Sequence, residues 1–215
     1  MSQHYLTPLL APRSIAFVGA SPRPDSPGND MLKMIDRAGF TGTVYPINPN
    51  YPEIEGRRCY GALADLPGPV DLVVLAVANA KLEATLREAI AIGARAAVIF
   101  ASGYLEDDSV PPLTDRIAAL ARKAGMPVCG GNGMGFYNDA AGVWAAGFRN
   151  ERLPRPGNIT LISHAGSVFG ALAHNDPRLK YNLVVSAGQE LVTTAADYLD
   201  YALEQPETGV VGMFL

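Results

Sequence analysis

Ser14-Ile15-Ala16-Phe17-Val18-Gly19-Ala20-Ser21 runs directly into Pro22-Arg23-Pro24-Asp25-Ser26-Pro27-Gly28-Asn29. The apolar run 15–18 ends at Gly19, an irregular Pro/Ser/Gly loop follows, and Met31, Leu32, Met34, Ile35 and Ala38 then recur at helical spacing. That order predicts strand, loop and helix. In such a unit the unpaired N–H groups of the helix N-terminus lie where the strand ends and favour an anion. A phosphate-bearing ligand is therefore the expectation for this turn.

The alternation continues outward from it. Gly39 closes the first helix, 29–38, and Thr43-Val44-Tyr45-Pro46-Ile47 reads as a second strand leading into Asn48-Pro49-Asn50. The continuous apolar run 71–77 suits a strand buried on both faces. A helix over 80–92 ends at Gly93, and strand 96–100 leads into Ala101-Ser102-Gly103-Tyr104. A helix over 111–124 and a short strand over 126–129 precede Gly130-Gly131-Asn132-Gly133-Met134-Gly135. Sustained βα alternation predicts an α/β fold with an open parallel sheet and helices on both faces. Its strand-end loops, 19–28, 48–50, 77–79, 101–104 and 130–135, converge on one edge, where open α/β sheets bind ligands.

Those loops supply the candidate binding residues: Gly19, Ala20, Ser21, Pro27, Gly28, Asn29, Asn48, Asn50, Val77, Ala101, Ser102, Gly103 and Asn132. Each also has a plain structural reading, since Gly, Asn and Ser are the common turn formers and Val77 can simply end a core strand. The loop lacks Gly-x-Gly-x-x-Gly spacing, and Asn48 stands where a ribose-binding acidic residue would follow the second strand. Both observations argue against a nicotinamide dinucleotide. No Walker A sequence and no Gly-x-Ser-x-Gly elbow occur.

A second alternation follows. Residues 143–148 read as an edge strand or hairpin and 152–157 as a linker. Strands are expected at 158–162, 182–186 and 210–215, with helices starting near 168 and covering 194–203. The expected division is a first domain over 1–150 and a second over 151–215. The second ends on a bare apolar strand after two βα units, so it is expected to be an incomplete α/β domain.

The 215-residue chain is 48% hydrophobic and 18% charged, a globular composition. Its net charge of −4 and lack of a basic block exclude a nucleic-acid footprint. No apolar run is long enough to span a bilayer, and residues 1–10 lack signal-peptide character. Cys59 and Cys129 form neither a metal spacing nor a disulfide framework. A cytoplasmic protein without a metal centre is the expectation.

Six segments together resemble the CoA-binding domain of the nucleoside-diphosphate-forming (ADP-forming) acyl-CoA synthetases, relatives of the succinyl-CoA synthetase α subunit. They are residues 14–21, Val44-Tyr45-Pro46-Ile47-Asn48-Pro49, Ala101-Ser102-Gly103-Tyr104, Gly131-Asn132-Gly133-Met134-Gly135 with Asn138, Leu161-Ile162-Ser163-His164-Ala165-Gly166-Ser167, and Ser186-Ala187-Gly188-Gln189-Glu190 with Asp197. The sequence departs from the family pattern at Gly131 and Gly133 (usually Pro and Cys), at His164-Ala165 (Gln-Ser) and at Gln189 (Asn).

The resemblance implies a Rossmann-like CoA-binding domain followed by part of a flavodoxin-like domain. It implies synthesis of an acyl-CoA from a small carboxylate, CoA and ATP through an acyl phosphate and a phosphohistidine. The histidine is expected beyond Leu215, with ATP and Mg bound outside residues 1–215 by an ATP-grasp domain or β subunit. The fragment alone would then be inactive, and its partners would be CoA, the carboxylate and that second unit, with a homo-oligomer compatible. His164 also follows a strand and precedes a helix, but the family has a glutamine there. Two rivals remain: a CoA-binding regulatory module of a protein acetyltransferase, and an NAD(P)-dependent oxidoreductase.

Overall fold

The computed structural model describes residues 3–147, 157–175 and 178–215. Most of the expected linker, 152–156, lies outside them.

The apolar runs at the centre of the first sheet become strands buried on both faces. β1 (Ser14–Val18), β2 (Thr43–Ile47), the two-residue ladder of β3 (Glu53–Ile54) and β4 (Arg57–Arg58), β5 (Leu72–Leu75), β6 (Ala96–Ile99) and β7 (Val128–Gly130) follow in order. Apart from the β3–β4 ladder they form one sheet, in the order β2-β1-β5-β6-β7, with every pair parallel. The connections run through α2 (Pro27–Arg37), α3 (Asn79–Ala91) and α4 (Leu113–Lys123). Strand order reverses between β1 and β5, so the crevice outside the strand ends opens there.

α2 begins with Pro27 in its first turn and is followed by Gly39 at φ 78°, the left-handed residue that ends helices. Its Met31, Leu32 and Ile35 join a core shared by the two sheets, with Phe17 and Val74 of the first and Phe136 and Leu183 of the second. Met34 and Ala38 join a different cluster, with Tyr137, Trp144 and Phe169.

That cluster belongs to the second sheet, built from β8 (Gly135–Asn138), β9 (Val143–Ala146), β10 (Ile159–Ser163), β11 (Tyr181–Ser186) and β12 (Val210–Phe214). The order is β12-β10-β11-β8-β9, with β10 parallel to both neighbours and β8 antiparallel to β11 and β9. α5 (Gly166–Asn175) and α6 (Ala195–Leu203) complete this layer. Residues 135–146 thus pair with the second sheet, so the change of sheet comes near residue 134, before the expected division at 150. Residue 135 opens a strand where a loop was expected. A Cβ on Gly135 would lie 1.9 Å from the Ala145 carbonyl oxygen, so this glycine permits a close strand crossing.

Among the described residues β12 pairs with β10 alone, and its Val210 and Phe214 are about half exposed. The side chain of His4 is only 6% exposed and packs edge-on to Tyr201. The lead-in segment, including α1 (Thr7–Leu10), buries Leu6, Leu9 and Leu10 completely. Each such leucine is worth about 1.5–3 kcal/mol. Among the described residues no helix is long and apolar enough to cross a membrane.

Candidate functional site

A cleft of about 570 Å³ lies at the strand ends of β1, β2 and β5, within the usual range for small-molecule sites. Its floor is Gly19. Gly19 sits at φ 93°, and a Cβ there would lie 2.3 Å from the Ala76 carbonyl oxygen. The exits of β1 and β5 therefore press together, and Ala76 N–H donates to the Val18 carbonyl at 2.9 Å. Gly28 seals the same turn from the helix side, since its Cβ would lie 2.1 Å from the Gly19 carbonyl oxygen.

The rest of the loop is a strap. Asn29 is 1% exposed, and its amide donates to the Ser21 carbonyl and to Glu55 Oε1 at 3.1 and 3.0 Å. Ser21 Oγ accepts from Arg23 N–H. Ala20 is buried, and Pro27 is exposed beside the strap. Of the expected binding residues, Gly19, Asn48, Asn50 and Val77 line the cleft, Ala20, Ser21, Gly28 and Asn29 form the turn and strap beside it, and Pro27 stands exposed at the start of α2. Asn48 is already engaged. Its amide donates to the Ala20 carbonyl at 2.8 Å, and its Oδ1 accepts from Asn50 N–H at 3.0 Å in an Asx turn.

The wall opposite the strands comes from α3, where Lys81, Thr85 and Glu88 face the cleft. The sequence reading passed over them. Their spacing of four and three residues along one helix face was the available signal. Asn79, at the start of α3, donates to Ser102 Oγ and to the Tyr104 carbonyl and accepts from Gly103 N–H. Ala101, Ser102 and Gly103 therefore stand next to the cleft, held by α3 rather than lining it.

Asn132 lies one strand further along the edge, exposed and at φ 51°. Here the two sheets interlock. Gly130 and Gly131 carbonyls accept from Leu191 and Gln189 N–H, and Asn132 N–H donates to the Ala101 carbonyl. A Cβ on Gly131 would lie 2.7 Å from the Ala101 oxygen, and one on Gly133 the same distance from the Ser186 oxygen. Gly131 thus accommodates the neighbouring 101–104 loop of its own sheet, and Gly133 the facing loop of the second. Beyond them His164 Nε2 lies 2.8 Å from Glu190 Oε1, which also accepts the Ala195 N–H at the start of α6.

Neither thiol suits nucleophilic work. Burial pushes Cys129 up to about 11, and burial likewise raises Cys59. His4, Asp200 and Glu204 bring ligand atoms within 4.8 Å of one another. However, His4 Nδ1 accepts Leu6 N–H, which puts the imidazole proton on Nε2, the nitrogen facing Asp200. The group is a clasp holding the lead-in segment to α6. The side chain of His174 lies outside what the structure describes.

The family model described as a CoA binding domain matches residues 13–139, more than half of the chain, and the succinyl-CoA ligase like flavodoxin domain matches 156–215. The chain belongs to the CoA-binding-domain family of the ADP-forming acyl-CoA synthetases. It is 28% identical over 215 residues to acetate–CoA ligase [ADP-forming] II of Archaeoglobus fulgidus, covering 98% of this chain and 32% of that protein. It is 30% identical to 4-hydroxybutyrate–CoA ligase [ADP-forming] of Nitrosopumilus maritimus, covering 97% and 30%. Among solved structures it resembles the dinucleotide-forming acetyl-coenzyme A synthetase 1 of Candidatus Korarchaeum cryptofilum, solved with phosphate and ADP, at 31% identity and a TM-score of 0.88. That match covers 98% of this chain and 45% of the other. The chain thus spans about a third of the length of these curated relatives.

Proposed function

We propose that this chain binds CoA and forms the CoA-binding part of an ADP-forming acyl-CoA synthetase. The observation that carries the reading is the cleft at the strand-order reversal, floored by a glycine turn and walled by apolar strand ends. Its size and its largely apolar lining suit an adenosine moiety, and the backbone at Gly19 is bare enough for a phosphate to approach.

CoA supplies a thiol that takes the acyl group from an acyl phosphate, forming the C–S bond as the C–O bond to phosphate breaks. This chain's part is to bind and orient. Gly19, Asn50 and Val77 border the nucleotide end of the cleft. The edge formed by Ala101–Gly103 and Asn132 leads away from it toward the sheet junction. Asn48 acts indirectly, by fixing the β2 exit against Ala20. Formation of the acyl phosphate from a carboxylate and ATP would need two further parts outside these residues: a phosphohistidine loop beyond Leu215, and an ATP-grasp domain or β subunit that binds ATP and Mg.

Calorimetry on the chain with CoA and with NAD tests this. Saturable one-to-one CoA binding with no NAD binding is expected. NAD binding without CoA binding would overturn it.

A further inference from the structure

The cleft is electrically polarised along α3. Of the residues lining it, only Lys81 and Glu88 carry charge. They are seven residues apart, so they share one helix face and stand about 10 Å apart along the axis. Between them Thr85 offers little, because its hydroxyl donates to the Lys81 carbonyl at 2.8 Å. Asn48, across the cleft, has both ends of its amide engaged. The remaining walls near Lys81, such as Val77, Ala78 and Leu63, are apolar. A ligand therefore meets one side-chain cation at the α3 N-terminal end and one acceptor two turns on. Lys81 makes no ion pair among the described residues, whereas Glu83 and Arg87 on the same helix pair with each other.

We infer that Lys81 reads a phosphate on the ribose of the bound coenzyme, while Glu88 accepts from the exocyclic amine of its purine. This orientation rests on the CoA reading and deepens it. The span from that amine to a ribose phosphate is comparable to the spacing of the two side chains. The ammonium is a point charge on a flexible stem, suited to a phosphate that projects from the ribose into the mouth of the cleft. The assignment makes Lys81 the residue that distinguishes CoA from its 3′-dephospho form.

The test is calorimetry with CoA and with 3′-dephospho-CoA on the wild-type chain and on Lys81→Gln, Lys81→Arg and Glu88→Gln, at one fixed salt concentration. Lys81 is exposed, so its variants should melt like wild type. The wild type is expected to prefer CoA by about tenfold or more, the worth of one charge-assisted hydrogen bond. Lys81→Gln should abolish that preference, and Lys81→Arg should keep most of it. Glu88→Gln should weaken both ligands and leave their ratio unchanged. An unaltered ratio in Lys81→Gln, or no preference in the wild type, overturns the assignment while the CoA reading stands. No binding of either ligand by the wild type overturns the CoA reading itself and this assignment with it.

Discussion

Two glycine-rich strand ends lie on the same edge of the first sheet, and they serve different ends. At Gly19 and Gly28 the backbone closes on itself, and the neighbouring α3 wall stands off to leave a cleft of about 570 Å³. At Gly130, Gly131 and Gly133 the backbone is equally bare, but the loop at 186–191 fills the space. In both places the missing Cβ permits close packing of main chain. What makes one of them a cleft is the distance of the next helix, and the glycines themselves do not report it.

The largest effect expected from this contrast is at the first turn. Gly19→Val combines a left-handed φ with a Cβ 2.3 Å from a carbonyl oxygen, and should destabilise the chain by about 3–5 kcal/mol in urea unfolding. CoA binding should disappear with it. A near-neutral Gly19→Val would mean that the β1 and β5 exits can separate freely, and the cleft floor would lose its explanation. Gly131→Ala should cost less, about 1–3 kcal/mol, because its Cβ meets the Ala101 oxygen at 2.7 Å without a left-handed φ. The folded fraction should bind adenosine 3′,5′-bisphosphate, which needs only the cleft, as before. If instead Gly131→Ala weakens bisphosphate binding more than it lowers stability, the junction shapes the cleft and the contrast fails.

The smallest effect is in the clamp that fixes the α3 wall to α4. Arg116 donates to Glu83 and Asp108, and its hydrogen bond holds the Glu83 carboxyl below its ordinary pKa of 4.5. A depressed folded pKa gives stability that is full above the unfolded value and lost as pH falls through the folded one. Thermal melts should therefore fall as pH drops below about 4.5, and Glu83→Gln should shrink this part of the drop, by about 1 kcal/mol or less for so accessible a pair. Identical acid profiles for the two proteins would remove the clamp from the account.

The parallel sheet was legible because short runs such as 72–75 are apolar throughout, as suits a strand covered on both faces, and alternate with helical patterns. The convergent edge followed from strand order alone. Residues 135–138 were not legible as a strand, because Gly135 reads locally as a turn and, of their two partners β9 and β11, the latter lies more than forty residues on. Lys81 and Glu88 were missed because periodicity shows that a helix has a polar face but not what that face looks at. Asn48 shows the converse. An asparagine at a strand end fits a ligand contact and an Asx turn equally well in sequence, and its amide turns out to be engaged by Ala20 and Asn50.

α2 has a consequence for anyone who would cut this chain into modules. The first family match stops at residue 139, after β8, a strand that pairs with the second sheet. Truncation at 139 strips β8 of β11 and uncovers Met34 and Ala38, whose neighbours Trp144 and Phe169 come later in the chain. Truncation at 134 removes Tyr137 from beside them as well. No single cut separates the two cores cleanly, so homologous exchange between relatives must carry α2 together with both sheets or redesign its outer face.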